Sequence, residues 1–524
     1  MKHLFTFSFY FFLFCGFSTI LYAQEKHTDW GKLHGGIESN GALYKKDKTK
    51  PELDSTGFNT YLNLKYEYKK FSAGIQYEIY EPPMRGYDAE LRGNKLMLYF
   101  ANYANRNLSV TAGSFYDQFG SGLIFRSYEE RALGINTSLR GLQVKYSPLE
   151  WINLKAIAGQ PRRYLEYADA MTYGADGDFV VSRLWESNNA YTISLGASWI
   201  MRQNTKTIEN SVDPKSVNLF SARTGFSNTH LNVGIEYTAK GKSQTFSETE
   251  GDYLAQSGDA FLINIDYTRP GFGVSSVFRR IEHMDYRVDG KRQSLYIPMN
   301  YIPALTKQHK YTLPGLYPYQ ANAEGEIGGQ IDVFGDVPMG RYPLKVAVNT
   351  AWYRSLGKNA RKTMPFFGKQ GDNVFKEVSV EMEKRFHKNL KANIGGYWQE
   401  MYDSKHEKKK SLTFVGDVLW KLNRKLSLRG ELQHMNTQMD DKAWIYGMLE
   451  VGVAPHWMIY VGGMRNYGAE NPEHFYNIGA SFAHKSLRVS AGYAKNRAGY
   501  QCAGGICRSV PGYTGAIASV SYVF

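Results

Sequence analysis

Residues 61–80 read YLNLKYEYKKFSAGIQYEIY. With a period of two, Leu62, Leu64, Tyr66 and Tyr68 fall on one face and Tyr61, Asn63, Lys65 and Glu67 on the other, the pattern of a strand with one apolar side. After Lys69 and Lys70 the alternation resumes, with Phe71, Ala73, Ile75, Tyr77 and Ile79 opposite Ser72, Gly74, Gln76, Glu78 and Tyr80. The spacing predicts a hairpin with a very short turn. A soluble sandwich, a soluble up-and-down barrel and a membrane barrel all contain such hairpins, so the choice among them lies in the rest of the chain.

The chain begins with one cation at Lys2, runs through an uncharged Phe-rich block from Leu4 to Ala23, and turns polar at Gln24, Glu25 and Lys26. This is the layout of a cleaved secretory signal peptide over residues 1–23. Beyond it no run approaches the roughly 20 apolar residues of a transmembrane helix, and the mean hydropathy is −0.44. No Pro/Ser-rich linker or shift of composition divides residues 24–524, which are expected to form one unit. With 39 Tyr, 29 Phe and 51 Gly but 3 Cys among 524 residues, the composition points to an all-β design.

The opening pattern recurs. Short polar turns are expected at 105–107, 147–149, 227–229, 269–271, 387–389, 423–424, 454–456 and 484–485, and longer connections at 45–56, 81–93, 127–138, 161–180, 283–319, 356–373, 403–410 and 497–511. Short and long connections therefore alternate, as they do in outer-membrane barrels, with short periplasmic turns and longer extracellular loops. The expected fold is a single large antiparallel transmembrane β-barrel of about 22 strands, in a range of roughly 18–26, with both termini periplasmic. Closure is required because lipid leaves no partner for an open sheet edge. A plug-bearing transporter would carry a folded plug before its first strand, whereas the strand-like DWGKLHGGIESNGALY starts close to the expected cleavage point. The last segment, GAIASVSYVF, places Ala516, Ala518, Val520, Tyr522 and Phe524 on one face. It resembles the terminal strand of Gram-negative outer-membrane proteins, which the barrel-assembly machinery reads.

The segment AGSFYDQFGSGLIFRSYEERALGINTSLRG, 112–141, and YPYQANAEGEIGGQ, 317–330, resemble large porin-like outer-membrane barrels of the Bacteroidota type. Tyr116, Phe119, Gly120, Gly122, Arg126, Glu129, Arg131 and Gly134 carry the resemblance. It implies a full-length barrel in the cell outer membrane and no settled activity.

No catalytic signature is present: there is no G-x-S-x-G elbow, P-loop, H-E-x-x-H or paired C-x-x-C, and Asp169, Asp176 and Asp178 lack the spacing of a calcium loop. No enzyme activity, metal or cofactor is expected. Two features remain as candidate constriction or partner contacts. One is the charged set Arg126, Glu129, Glu130 and Arg131 near Tyr116, either a field at a pore mouth or a solvated loop held by weak ion pairs. The other is the long Tyr- and Pro-rich connection 283–319, whose length is unusual for a structureless loop. With Arg280 just before it, its candidate contacts are Lys307, His309, Lys310, Tyr311, Tyr317 and Tyr319. It either folds into the lumen or covers the outer mouth.

The net charge is +14, and removal of Lys2 with the signal would leave +13. Cations in turns and connections, such as those in 45–50 and 406–410, would meet lipopolysaccharide phosphates or bias a pore toward anions, and nucleic acid is not an expected partner for an exported barrel. Cys502 and Cys507, flanking Gly504 and Gly505 in the last long connection, are expected to form a disulfide in an oxidising compartment. The two functions open at this point are a porin-like channel for small polar or anionic solutes, narrowed by inward loops, and a non-conducting barrel that docks to a secretion, gliding or surface-assembly machine through its extracellular loops.

Overall fold

A computed structural model describes residues 30–46, 54–185, 190–207, 211–247, 251–291, 297–357, 370–402, 407–439 and 442–524. The expected signal peptide at 1–23 and parts of the basic runs at 45–50 and 406–410 lie outside the described residues. Among the described residues, 24 strands pair in chain order, each antiparallel to the next, and the last returns to the first. The first, Lys32–Tyr44, pairs with the last, Tyr513–Val523, from Gly36↔Val523 to Tyr44↔Gly515. Backbone bonds between Gly35 and Phe524 lengthen this seam, the Gly35 N–H donating to the Phe524 carbonyl at 3.0 Å. A side chain at Gly35 would lie 2.2 Å from the Phe524 ring, so the terminal aromatic closes on a position that admits no Cβ.

The barrel is apolar on its outside. Leu62, Leu64, Tyr66 and Ile75 from the opening hairpin are exposed, while Tyr61, Gln76, Glu78 and Tyr80 on the opposite parity are buried. The same inversion holds far along the chain, where Leu412, Phe414, Val418 and Trp420 face outward and Thr413, Val415 and Asp417 inward. Phe71, Tyr103, Tyr146, Tyr267, Trp420 and Trp457 share the outward parity near the short turns, the level of a membrane interface. A continuous exposed apolar belt of this kind would aggregate in water and is stable in lipid, so the chain is a transmembrane β-barrel. Among the described residues no helix is long and apolar enough to cross a membrane.

The strand number is 24, inside the expected range of roughly 18–26 and two above its centre. One reason is that 161–180, read as a connection, contains the strand Ala170–Phe179. Its small residues Ala170, Gly174, Ala175 and Gly177 blur the alternation of apolar and polar side chains. The two-residue strand Glu166–Tyr167 folds back on Arg162 and Arg163 beside it. Among the short turns, Lys69 and Lys485 adopt positive φ, 54° and 50°. With an even strand number, the first strand starts and the last ends at the short-turn end.

Candidate functional site: a lumen filled by its own connections

Two long connections leave the opposite end and fold back into the barrel. The first is 116–138, between Leu108–Phe115 and Leu139–Leu149. Phe119, Leu123, Ile124 and Phe125 from it pack with the wall residues Ile157, Ile200, Leu219 and Leu262. The tip is held by one carboxylate: Ser121 N donates to Glu236 Oε2 at 2.9 Å, and Glu236 Oε1 accepts from Ser221 Oγ at 2.7 Å. Gly120, at φ 53°, lies against this carboxylate, and a Cβ there would be 2.7 Å from Glu236 Oε1. Asp117 anchors the base, accepting from Gln143 at 2.7 Å and Lys155 at 3.4 Å.

The charged set of this insert divides. Arg131 donates to Glu38 at 2.8 Å, pairs with Glu129 at 3.1 Å and stacks over the Tyr61 ring. Glu129 accepts from Gln76 at 2.8 Å and from Asn136 at 3.2 Å, and Asn136 also donates to the Tyr116 hydroxyl at 2.8 Å. Gln76 passes the network to Glu78, which receives both Nη groups of Arg162 at 2.6 Å. Arg126 is not in this network. It lies over the rings of Tyr128 and Tyr301, 4.8 Å and 3.8 Å from their centroids, and so links the insert to the second connection. Burial pushes the Tyr128 hydroxyl up to about 12, which keeps it neutral beside the guanidinium.

The second connection joins Phe272–Glu282 to Gly325–Val337 and crosses the lumen as a strap. It lies first on the insert: Arg126 N donates to Met299 O at 2.9 Å, Tyr301 N to Gly122 O at 2.9 Å, and Asn300 to the carbonyls of Leu123 and Met284. Met284, Tyr286, Val288 and Met299 join the same apolar core. Farther on, several strap residues meet wall partners. Lys307 pairs with Glu381 at 3.0 Å, His309 with Glu377 at 2.9 Å, and Tyr311 donates to Asp417 at 3.2 Å. Leu313 N donates to Gln433 at 2.8 Å, and its side chain packs on Met435, Trp444 and Tyr446. Arg497 lies over Tyr317, and Tyr319 donates to Glu326 at 2.6 Å while stacking on Tyr353 and Phe375. Burial and the Asp417 carboxylate raise the Tyr311 hydroxyl above its ordinary value.

Six of the sequence-derived residues, Glu129, Arg131, Lys307, His309, Tyr311 and Tyr319, thus meet inward wall groups through their side chains, while the Tyr116 hydroxyl accepts from Asn136 of the same insert and its carbonyl from the wall residue Gln143. Arg280 sits elsewhere: the pleat turns Arg279 inward to Glu326 and Arg280 to the other face, where it pairs with Asp259 and Glu282. Cys502 and Cys507 are joined, S–S 2.02 Å, in a hairpin of Gly499–Ala503 with Ile506–Val510. Its tip rests on the strap, with Ala304 N donating to Gly505 O at 3.0 Å and the Tyr301 hydroxyl to Gly504 O. The wall partners Glu38, Arg162, Glu377, Asp417 and Gln433 were not singled out from sequence. A signal exists for Glu377, since Glu377, Ser379, Glu381 and Glu383 alternate with apolar residues in KEVSVEMEK.

Two cavities lie on either side of the strap. One, of about 320 Å³, is enclosed by the disulfide hairpin, the strap from Ala304 to Tyr319, and the wall at Phe375, Glu377 and Gln399. The other, of about 490 Å³, lies toward the short turns among Arg269, Phe334, Asp336, Lys345, Glu381, Glu383 and Asn393. Lys310 and Tyr311 line both. Among the described residues no group of three or more His, Cys, Asp or Glu is placed to hold a metal ion.

The model of a family of unknown function (DUF6029) matches residues 1–524. The chain belongs to that family. No curated protein matches it in sequence. Solved structures similar to it include the siderophore receptor PirA from Pseudomonas aeruginosa (11% identity, TM-score 0.44, 94% of this chain and 80% of that chain). The P pilus usher PapC translocation pore is similar at 10% identity and TM-score 0.45, over 94% of this chain and 99% of that chain. The outer membrane transporter YddB from Escherichia coli is similar at 9% identity and TM-score 0.39, over 94% and 81%. At these identities no residue role passes to this chain.

Proposed function

We propose that this chain forms a channel in the cell outer membrane for small polar solutes, closed at rest by its own strap. The observation that carries the reading is the sharing of Lys310 and Tyr311 by the two cavities: a single layer of strap separates the short-turn cavity from the chamber under the disulfide hairpin. The lower cavity is balanced in charge, Arg269, Lys310 and Lys345 against Asp336, Glu381 and Glu383. This favours neutral polar solutes over the anions that net charge alone would suggest. The exposed apolar belt meets membrane lipid, the basic connections face lipopolysaccharide, and the terminal strand ending in Phe524 serves recognition by the barrel-assembly machinery. No enzymatic role is proposed.

A second reading, a non-conducting barrel that docks to a partner through its long connections, draws support from the dry upper lumen, where Arg162 and Glu78 are each 1% exposed. Planar-bilayer conductance separates the two. Refolded wild type is compared with a variant whose residues 301–319 are replaced by a short Gly/Ser linker. The channel reading expects small or absent steps in wild type and large steps in the variant. Silence of both supports the docking reading.

A further inference from the structure

The cations at the two rims of the barrel have different surroundings. At the long-connection end several of them meet carboxylates: Arg163 pairs with Glu90 at 2.9 Å, Lys206 and Lys291 with Asp169 at 2.8 and 2.7 Å, and Lys495 with Glu473 at 3.0 Å. At the short-turn end the segments KRFHKN (384–389), KLNRK (421–425) and HKS (484–486) hold seven Lys and Arg and no Asp or Glu. Lys388, Lys421, Arg424, Lys425 and Lys485 are exposed there and form no ion pair among the described residues. Glu383, just before the first of these turns, is already paired with Lys391 at 3.0 Å.

Backbone bonds join these turns into one continuous rim. Lys421 N donates to Asn389 O at 2.8 Å, Ala454 N to Lys425 O at 2.7 Å, and Ala483 N to His456 O at 2.9 Å. The intervening turn, Ala454-Pro455-His456, adds no carboxylate. The exposed rings of Phe386, Trp420 and Trp457 stand beside the cations in the chain. Such rings settle at the headgroup level of a bilayer, so the ammonium and guanidinium groups lie at the depth of lipid phosphates. An unpaired cation there is attracted to an anionic lipid surface, and neighbouring cations add to the attraction. We propose that this rim binds the phosphates of anionic glycerophospholipids in the periplasmic leaflet and thereby holds the short-turn end at a fixed depth. Cations spread along a curved rim beside lipid-facing tryptophans suit many separate headgroups better than the single face of an acidic protein. The inference concerns the membrane around the barrel and stands whether or not the lumen conducts.

The test is electron paramagnetic resonance on the full chain refolded in phosphatidylcholine vesicles that carry a trace of spin-labelled phosphatidylglycerol or spin-labelled phosphatidylcholine. The motionally restricted fraction of each label reports which lipid the barrel retains. Wild type is expected to favour phosphatidylglycerol by about threefold or more, with the preference shrinking in high salt. The combined variant Lys388→Gln, Arg424→Gln, Lys425→Gln, Lys485→Gln is expected to lose most of that preference. A control with Lys206→Gln and Lys495→Gln, at the opposite rim, is expected to keep it. All these side chains lie in turns or at strand ends, and a heat-modifiable gel shift checks that each variant is folded. Equal retention of the two labels by folded wild type overturns the proposal and leaves the rim to an acidic protein. A preference that survives the combined substitution overturns it as well, because the lipid contact then lies elsewhere on the barrel.

Discussion

The two halves of the lumen are built from the same kinds of side chain and treat them differently. Toward the long connections, charged groups are dry: Arg162 with Glu78 and Arg279 with Glu326 are all 1% exposed. Toward the short turns, Lys65 with Glu67 and Lys391 with Glu383 retain between 31% and 48% of their exposure. The wall is one continuous sheet, so the difference comes from what fills it. Both inserts enter from the long-connection end and leave the other end to water. In the dry half a charge must be fully paired, because desolvation costs several kcal/mol per ion. In the wet half the solvent screens it. The dry pairs and networks thereby fix where the insert and the strap lie, whereas the wet ones decorate a vestibule.

The sharpest way to break this contrast is to remove one charged partner from each half. Glu78→Ala leaves the Arg162 guanidinium buried without its bidentate partner and is expected to cost ~3–5 kcal/mol. Lys391→Ala, which leaves Glu383 in water, is expected to cost at most ~1 kcal/mol. Urea unfolding of the micelle-bound barrel, followed by tryptophan fluorescence, measures both. Equal losses would mean that the two halves do not differ as their burial implies.

The hairpin that caps the strap gives a middle-sized test. Opening the Cys502–Cys507 loop with Cys502→Ser and Cys507→Ser frees a short loop, for which chain entropy predicts a loss of about 2 kcal/mol. The hairpin is joined to the strap through Ala304 and Tyr301 rather than to the barrel sheet. The loss is therefore expected locally, as faster amide exchange at 499–510 with an unchanged midpoint for the barrel. A shift of the whole transition would place the hairpin within the barrel's cooperative unit.

Gly120 probes the insert alone. Its φ of 53°, and a Glu236 carboxylate that would stand 2.7 Å from any Cβ added there, make Gly120→Ala strained, by roughly 1–2 kcal/mol for the left-handed backbone. The expected result is enhanced proteolysis between 116 and 138, with strand unfolding little changed. Equal protection of wild type and variant would show that the tip is not held by Glu236.

What could be read from sequence follows from the range of each signal. Alternation within 61–80 is local, and both its strands and its turn stand where the spacing put them, Thr56–Tyr68 and Phe71–Tyr80. The strand Ala170–Phe179 escaped because Gly174 and Gly177 lack the side chains that make a pattern visible. The destination of 283–319 was open between lumen and mouth, because what holds it is scattered: Glu377, Asp417 and Gln433 come from three strands far along the chain. Parity also separates Arg279 from Arg280, a distinction that depends on the register of the neighbouring strands.

The smallest expected effect concerns the start of the strap, where the contrast between dry and wet halves meets the surface. Asp169 accepts from Lys206 at 2.8 Å and from Lys291 of the strap at 2.7 Å, and these ammonium groups, Lys206 foremost, hold its carboxyl below the usual carboxylate value. A depressed folded value means that the stabilisation is complete above the unfolded pKa, about 3.9, and is lost as pH falls through the lower folded value. The pair is partly exposed, so the contribution is expected to be under ~1 kcal/mol. Amide exchange of 283–291 in wild type should therefore quicken below about pH 4 beyond the intrinsic pH effect, whereas Asp169→Asn should show the quicker exchange at neutral pH already and no added acid dependence. If acid leaves wild-type protection untouched, the strap is held at this end by Met284 and Tyr286 in the apolar core, and its ion pair is only surface decoration.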